Sequence, residues 1–261
     1  MRHLSLFLSL IFVVPVMAQR APVLPPDRIV DLSYPFDATS VYWPTAEPFK
    51  LDTDFEGVTD KGYFYSAYRY SAAEHGGTHL DAPVHFAKGR HTVDEIPLEQ
   101  LMGPGIVIDV TSQCASNADY LVSVADFQNW ERRNGRIKPG TIVLLRTGFG
   151  KRYPDRKSYL GTDERGADAV AKLHFPGLDP AAARWLTQNR AIKAIGLDTA
   201  SIDRGQSTLF ESHRILFEKN IPAFENVANL DQLPVKGFSV IALPMKIKGG
   251  SGGPLRIVAF M

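Results

Sequence analysis

The sequence contains one cysteine, Cys114, in 261 residues. A single thiol excludes an internal disulfide and a two-cysteine redox motif, and we expect Cys114 to be a small buried or half-buried thiol. Basic tracts and low-complexity stretches are also missing, and the formal net charge is only +1. The chain therefore lacks the charge pattern of nucleic-acid-binding proteins, and we expect no nucleic-acid partner.

A long hydrophobic run is missing too. The mostly apolar segment from Leu4 to Met17 covers about fourteen residues, whereas a membrane-spanning helix needs about 20. Arg2 and His3 precede this segment and Ala18 follows it, which is the layout of a secretory signal peptide. We therefore expect a signal peptide over 1–18, one mature domain over 19–261, a periplasmic or secreted location, and no membrane contact after cleavage. An uncleaved membrane anchor is the alternative.

The remaining pattern predicts more strands than helices. Several predicted strands are almost entirely apolar, as expected where both faces are covered. Capping residues, such as Asp179 followed by Pro180, mark the helix starts. The predicted strands are 29–33, 63–70, 106–110, 142–146, 192–197, 240–247 and 255–260, and the predicted helices are 123–134, 179–188 and 209–219. We expect a long loop with some local structure over 151–175. We expect sheet packing for the tyrosines of 63–70, with stacking on an aromatic substrate as the alternative. Overall we expect a single mixed-sheet α/β domain.

The strongest chemical signal is a histidine cluster. Residues 75–85 read His-Gly-Gly-Thr-His-Leu-Asp-Ala-Pro-Val-His. Imidazole and carboxylate are the ligands of zinc and its first-row neighbours. Glycines and a proline disfavour a helix, and in an extended chain one face carries all four ligand-type side chains, His75, His79, Asp81 and His85. A straight strand would spread them over roughly 33 Å, so we expect bends at Gly76–Gly77 and Pro83 to bring them to a metal.

Ligand candidates elsewhere carry weaker signals. On sequence alone His213 and Glu225 are weak candidates for further metal ligands. Three polar residues after the predicted strand 192–197 either line a site or cap a turn; they are Asp198, Ser201 and Asp203. We interpret His91 and His174 as loop residues.

Residues 249–253, Gly-Gly-Ser-Gly-Gly, match the letters of a G-x-S-x-G nucleophile elbow. That elbow needs a strand before it and a helix after it. Here Pro254 and a predicted strand follow, so we interpret these residues as a flexible turn.

The run 75–85 meets every fixed position of the signature H-x-G-T-H-x-D-x-P-x-H. In this run the chain resembles the metal-dependent cyclase/hydrolase family, which includes bacterial kynurenine formamidase (arylformamidase) and isatin hydrolase. The similarity extends over nearly the whole mature chain, although the usual glycine after Tyr42-Trp43-Pro44 is Thr45 here. It implies a swivelling β/β/α cyclase-like fold, assembled as homodimers or homotetramers whose sites can borrow residues across the interface.

The resemblance also implies residue roles. It implies that His75, His79 and Asp81 are metal ligands, with Asp81 able to bridge two ions, and that His85 is either a ligand of the second ion or the acid/base residue. His213 and Glu225 are similar to the distal His and Glu of the formamidases. Glu225 therefore favours a two-metal, formamidase-like arrangement over the single ion of isatin hydrolases. The compact formamidases lack most of the region 130–175 and are typically intracellular. The resemblance therefore implies the chemistry but does not identify the substrate.

We therefore predict a zinc- or manganese-dependent hydrolase of a carbon–nitrogen amide bond, with two ions per site. Metal binding lowers the pKa of a water from about 15.7 to about 7 and so supplies hydroxide, while His85 passes a proton to the leaving nitrogen. The leading substrate is N-formylkynurenine, cleaved to kynurenine and formate in tryptophan catabolism. The alternatives are a cyclic imide, isatin or lactone hydrolase, and an exported metal-binding protein without catalysis, whose site would be closed.

Overall fold

A computed structural model describes residues 28–261 of the chain. The predicted signal peptide and the boundary at residue 19 lie outside the described residues, so both stay predictions. Within the described part, no helix combines the length and the hydropathy that a membrane crossing requires.

The strands are β1 (Ile29–Asp31), β2 (Lys50–Val58), β3 (Phe64–Ser71), β4 (His79–Asp81), β5 (Met102–Asp109), β6 (Leu121–Val122), β7 (Ile142–Arg146), β8 (Gly177–Leu178), β9 (Ala194–Leu197), β10 (Ala223–Glu225), β11 (Lys236–Pro244) and β12 (Gly252–Phe260). The α-helices are α1 (Thr111–Ser116), α2 (Val124–Asn134), α3 (Arg156–Leu160), α4 (Ala167–Val170), α5 (Pro180–Asn189) and α6 (Glu211–Phe217). Short 3₁₀ helices occupy Pro83–His85, Leu98–Gln100, Phe149–Arg152 and Leu230–Gln232.

The main sheet has eight strands in the order β1-β12-β11-β5-β7-β9-β10-β4. Strands β5, β7, β9 and β10 are parallel to one another, and the remaining neighbours are antiparallel. Strand β4 pairs with β10 on one side and with β12 on the other. Every strand of this sheet except β1 therefore belongs to a closed ring, and the prediction of one mixed-sheet α/β domain is confirmed.

The core lies on both sides of this closed sheet, because alternate residues of each strand point to opposite faces. In β7, Ile142 and Leu144 belong to the apolar cluster shared with β11 and β12, which fills the inside of the ring. Val143 and Leu145 belong to the second cluster, which packs against α2, α5 and α6. The continuous apolar run of β7 thus follows from its burial on both faces.

The helix starts follow from their caps. Ser123 and the side chain of Asp126 form a capping box at α2, and Asp179 accepts a hydrogen bond from the backbone of Ala181 at α5, where Pro180 takes the first helical position. Both predicted helices are confirmed. Strand β7 also matches its prediction, whereas β11 begins and ends earlier than predicted. Strands β2 and β10 and the short helices α1, α3 and α4 were not predicted.

The segment 151–175 is not a featureless loop. It contains α3 and α4, and Tyr159 and Leu160 are completely buried in the helix-side core. The predicted local structure is thus present, and these two side chains anchor the segment to the core.

Strands β2 and β3 form a separate two-stranded hairpin. Most residues of both strands are exposed, including Phe64 (65% exposed) and Tyr65 (51% exposed). The predicted sheet packing of the tyrosines of 63–70 is therefore wrong within one protomer, because no second layer of this chain covers either face of the hairpin among the described residues.

Candidate metal centre

Three elements bring the predicted ligands together. Strand β4 carries His79 and Asp81 on one face, its partner β10 ends at Glu225, and His213 lies on α6. Gly77 has a φ of 55°, which provides the predicted bend, and Pro83 opens the 3₁₀ helix that ends at His85. The chain folds back as the sequence predicts.

Asp81 is the centre of this arrangement. Its Oδ1 lies 2.6 Å from His75 Nδ1 and 3.1 Å from His79 Nε2, and its Oδ2 lies 3.2 Å from His213 Nε2. Glu225 Oε1 lies 3.1 Å from the same His213 nitrogen. Two sets of three residues could each hold a metal ion, and both sets include Asp81. Within each set, the ligand atoms of the three residues lie within 4.8 Å of one another. One set is His75, Asp81 and His85; the other is His79, Asp81 and Glu225.

Backbone and side-chain acceptors fix the orientation of two imidazoles. His79 Nδ1 lies 3.0 Å from the carbonyl oxygen of Gly77, which also accepts a hydrogen bond from Asn226 Nδ2 at 2.7 Å. His213 Nδ1 lies 2.6 Å from Asp203 Oδ2. Because each Nδ1–H donates to an oxygen, each Nε2 points at the shared carboxylates, where a metal ion would bind it.

The charges in this buried cluster shift the pKa values strongly. Burial opposes the charged form of His79, but the nearby carboxylates of Asp81 and Glu225 raise the pKa of His79 to about 9. Burial would raise the pKa of Asp81, yet the neighbouring imidazoles, His75 first, hold it well below its usual value. Burial and then the charge of Asp81 raise the pKa of Glu225. The neighbouring imidazoles thus oppose the effect of burial on both carboxylates.

The donor set fits a divalent metal. His79 Nε2 is buried and has no hydrogen-bond partner among the described residues, although Asp81 Oδ1 and Glu225 Oε2 lie within 3.4 Å of it. Unpaired buried nitrogens are costly, and a metal ion shared with these oxygens would satisfy this one. Imidazole nitrogens and carboxylate oxygens are ligands that zinc and manganese accept.

His85 differs from the other histidines. Its ring stacks on His75 at a centroid distance of 3.8 Å and also contacts Phe86. Burial lowers the pKa of His85 to about 4. It is therefore neutral at pH 7 and can either bind a cation or accept a proton.

The cluster forms the floor of a cavity of about 270 Å³. The walls are apolar and aromatic; they include Val41, Trp43, Ala46, Phe86, Ala200 and Phe210. The rings of Phe86 and Phe210 stack at 5.1 Å, and Trp43 lies 6.4 Å from Phe210. Such walls exclude water and suit a planar aromatic ligand.

The polar residues after β9 have separate roles. The carboxylate of Asp198 accepts hydrogen bonds from the backbone and hydroxyl of Thr147 and from the backbone of Gly148, so it caps a turn. Ser201 lines the cavity, and Asp203 orients His213. Of the two alternatives that the sequence left open, Asp198 thus caps a turn and Ser201 lines the site, while Asp203 has a role that was not predicted.

The other two histidines lie outside the cluster. His174 is exposed and lies 2.8 Å from Asp119, as a loop residue. His91 is half-buried. Its backbone N–H donates to the side chain of Asn220, and its carbonyl oxygen accepts a hydrogen bond from the backbone of Val84. His91 therefore lies in a loop, as interpreted from the sequence, but it is only partly exposed.

Sequence reasoning missed the residues that shape the cavity and orient its ligands. Trp43, Phe86 and Phe210 are apolar, and no pattern distinguishes them from core residues. Asn226 directly follows Glu225, and its amide oxygen accepts a hydrogen bond from Tyr159 at 2.8 Å. Through this hydrogen bond from Tyr159, the segment 151–175 holds Asn226 in place beside the candidate ligand Glu225.

The chain is similar to known proteins over most of its length. The sequence profile of the putative cyclase family matches residues 30–204. The chain belongs to this family. The isatin hydrolase of Roseibium aggregatum is 31% identical to this cyclase-family chain over 245 residues, covering 86% of this chain and 90% of the relative. The kynurenine formamidase of Bacillus cereus is 27% identical and covers 88% of this chain and 95% of the relative.

Among solved structures, isatin hydrolase A from Labrenzia aggregata bound to benzyl benzoate superimposes with a TM-score of 0.80. It is 34% identical in sequence to this cyclase-family chain, and the match covers 90% of this chain and 93% of that one. The predicted family and the predicted cyclase-like fold are both confirmed.

Proposed function

We propose that this chain is a metal-dependent hydrolase that cleaves a carbon–nitrogen amide bond. One observation carries the proposal: Asp81 is shared by two sets of imidazole and carboxylate ligands at the floor of an aromatic-walled cavity. Relatives named isatin hydrolase and kynurenine formamidase support the same class of reaction, since one name refers to a cyclic amide and the other to a linear one.

The proposed ligands are His75, His79, Asp81, His213 and Glu225, with His85 as either a ligand or the proton-transfer residue. A bound divalent ion polarises a carbonyl and makes water nucleophilic at neutral pH. Neutral His85 faces the same cavity and can take a proton from water and pass it to the leaving nitrogen. Asp203 keeps His213 in the tautomer that presents Nε2 to the site.

We propose two ions, zinc or manganese, in each site. The two candidate ligand sets share only Asp81, and a bridging carboxylate is suited to hold two cations close together. Glu225 is essential to this arrangement, because it completes the second set. Elemental analysis of protein purified without added metal measures the number of metal ions per chain. One ion per chain would contradict the proposal.

The cavity supports an aryl substrate, with N-formylkynurenine or a related aryl formamide as the leading candidate. A planar ring would lie against the wall formed by Trp43, Phe86 and Phe210, with its amide carbonyl toward the carboxylates and imidazoles. The second candidate is a cyclic amide such as isatin, supported by the 31% identity to an isatin hydrolase over 86% of this chain.

Parallel assays separate the two candidates. Formamide cleavage is measured with N-formylkynurenine and ring opening with isatin, each before and after removal of metal by a chelator. We expect activity to disappear with the metal and to return with zinc or manganese. His79→Ala and Asp81→Ala should lose both metal and turnover; if either variant keeps both, the proposed function is wrong.

We propose that the hairpin β2–β3 joins two copies of this chain. An isolated two-stranded hairpin is marginally stable, and this one exposes aromatic side chains on both faces, as protein interfaces do. Ala46 precedes the hairpin, Ala73 follows it, and both line the cavity. The proposed interface therefore lies next to the site.

We also propose export of the chain to the periplasm or beyond the cell. The basic start, short apolar segment and Ala18 support this proposal. Mass spectrometry of the protein from an exporting host should find a mature chain that begins near Gln19. An intact amino terminus would contradict cleavage.

A further inference from the structure

The glycine-rich turn 249–253 contacts the metal centre through one hydroxyl group. Ser251 Oγ lies 2.9 Å from His75 Nε2 and 2.6 Å from Glu74 Oε2. The backbone N–H of Ser251 also donates to Glu74 Oε2 at 3.0 Å. The other nitrogen of the same imidazole, His75 Nδ1, lies 2.6 Å from Asp81 Oδ1. Ser251 thus connects Glu74 to His75 on the side opposite the candidate metal ligands.

The direction of these hydrogen bonds follows from the groups involved. An ionised carboxylate only accepts, so the single hydroxyl proton of Ser251 goes to Glu74. The Ser251 oxygen is then an acceptor, and His75 Nε2–H must donate to it. With its proton on Nε2, His75 has a lone pair on Nδ1, directed at the oxygen of Asp81. A bound cation would take the place of the proton that otherwise lies between this nitrogen and the carboxylate.

The glycines on either side of Ser251 make this contact possible. A Cβ at Gly252 would lie 2.6 Å from His75 Cε1 and 2.7 Å from the carbonyl oxygen of Leu80. A Cβ at Gly250 would lie 2.9 Å from Glu74 Oε1. The sequence Gly-Ser-Gly therefore fits closely against Glu74-His75, and each glycine makes room for one of the two side chains.

The order Ser251–His75–Asp81 has the letters of a serine-hydrolase triad, but the geometry excludes that role. A nucleophilic serine donates its hydroxyl proton to the imidazole. Ser251 donates this proton to Glu74 instead. Ser251 is also absent from the cavity lining, so a substrate in the cavity would not meet its oxygen. Strand β12 follows the turn directly, whereas a nucleophile elbow needs a helix.

We propose that Glu74 and Ser251 are positioning residues that hold His75 in the Nε2–H tautomer and so prepare its Nδ1 to bind the metal. This inference rests on the proposed metal-dependent function and deepens it. It assigns to the metal centre a serine from a turn more than 170 residues away along the chain. Carboxylate-linked partners of this kind raise metal affinity by about 10- to 100-fold in other metalloproteins.

Zinc affinity separates this role from a purely structural one. Metal-free wild type, Ser251→Ala and Glu74→Gln are titrated with zinc against a chromophoric chelator, and thermal unfolding of each metal-free protein is recorded. Ser112→Ala is the matched control, because Ser112 is exposed on α1 and bonds only to its neighbour Gln113. We expect Ser251→Ala to bind zinc about 10- to 100-fold more weakly, with a metal-free melting temperature close to that of the wild type. Saturating zinc should restore most of its turnover.

Glu74→Gln should weaken zinc binding in the same direction but less, because the amide keeps a hydrogen-bonding group near the hydroxyl. Equal zinc affinity in wild type and Ser251→Ala would overturn the inference. If Ser251→Ala does not fold, Glu74→Gln decides by the same measurement. A wild type that binds no zinc or manganese at all contradicts the proposed function itself, so the two failures are distinguishable.

Discussion

At the scale of single residues, glycines set how closely the segments of the metal centre approach one another. The sequence predicts a bend at Gly76–Gly77, and the φ of 55° at Gly77 agrees with it. The reason for Gly76 was not predictable, because it is a contact distant in sequence. A Cβ there would lie 2.1 Å from the ring of Tyr42. Local conformation could be read from the sequence, whereas this close approach could not.

Gly252 offers a direct test of such packing. We expect Gly252→Ala to displace the His75 ring, because the new methyl group would overlap with it and with the backbone of Leu80. Zinc affinity should fall by at least 10-fold, about 1.4 kcal/mol, and the melting temperature should fall as well. Gly237→Ala serves as the control for glycine loss, since no atom lies within 4 Å of a Cβ there, although its φ of 94° adds backbone strain. A lower melting temperature with unchanged zinc affinity in Gly252→Ala would contradict the expectation.

Phe210 tests the aromatic wall. Its backbone has a φ of 47° in the left-handed region, which is strained for a side chain of this size. The ring nevertheless lines the cavity against Phe86. We expect Phe210→Ala to raise the KM for an aryl formamide by about 10-fold, because an aromatic contact contributes about 0.5–1.5 kcal/mol beyond its buried area. The KM for a small aliphatic formamide should change much less, and equal changes for both substrates would argue against aryl recognition.

At the scale of elements, the sequence predicts those whose ends carry local signals. Helices α2 and α5 have capping residues and β7 is an uninterrupted apolar run, and all three were placed closely. Strands β4 and β10 have three residues each, and tertiary pairing alone makes them strands. These two short elements carry His79, Asp81 and Glu225. The ligand identities were therefore predictable from the motif and the resemblance, but their common strand pairing was not.

The contact between α2 and the end of α5 predicts a pH dependence of stability. Glu131 accepts hydrogen bonds from Arg190 Nε at 2.6 Å and Nη2 at 2.7 Å, and both side chains are largely buried. The hydrogen bond from Arg190 lowers the pKa of Glu131 in the folded chain. Its stabilisation is therefore present above the unfolded pKa of about 4.3 and is lost as the pH falls through the lower folded value.

We expect Glu131→Gln to lower the free energy of unfolding at pH 7 by about 1–3 kcal/mol, the usual value for a hydrogen bond to a charged group. The difference from the wild type should narrow at pH 3 in urea unfolding. Glu164→Gln is the control, because its ion pair with Lys172 is about half exposed on both sides and should contribute less than about 1 kcal/mol. A Glu131→Gln deficit that is equally large at both pH values would contradict the assignment to the carboxylate.

At the scale of the whole molecule, closure of the sheet places the metal centre. Strand β4 closes the ring between β10 and β12, so its outward-facing residues lie beside the ends of β10 and β12 and under α6. No sequence period indicates this closure, because it depends on pairing between residues 142 to 175 positions apart. The resemblance to the cyclase family implied a swivelling β/β/α fold, but it did not predict this closure.

The last prediction concerns the assembly of several copies of the chain through the hairpin β2–β3. Phe64 and Tyr65 are neighbours in β3 and point to opposite faces, so Phe64→Glu with Tyr65→Glu places a charge on each face. We expect wild type to sediment as a dimer or tetramer at micromolar concentration and the double variant as a monomer, because buried unpaired charges oppose association. Leu98→Glu is the control, since Leu98 is 59% exposed but lies outside the hairpin, and it should keep the wild-type mass. Because Ala46 and Ala73 connect the hairpin to the cavity wall, the monomeric variant should also lose substrate affinity. A monomeric wild type, or a double variant with the wild-type mass, would show that the hairpin serves another purpose.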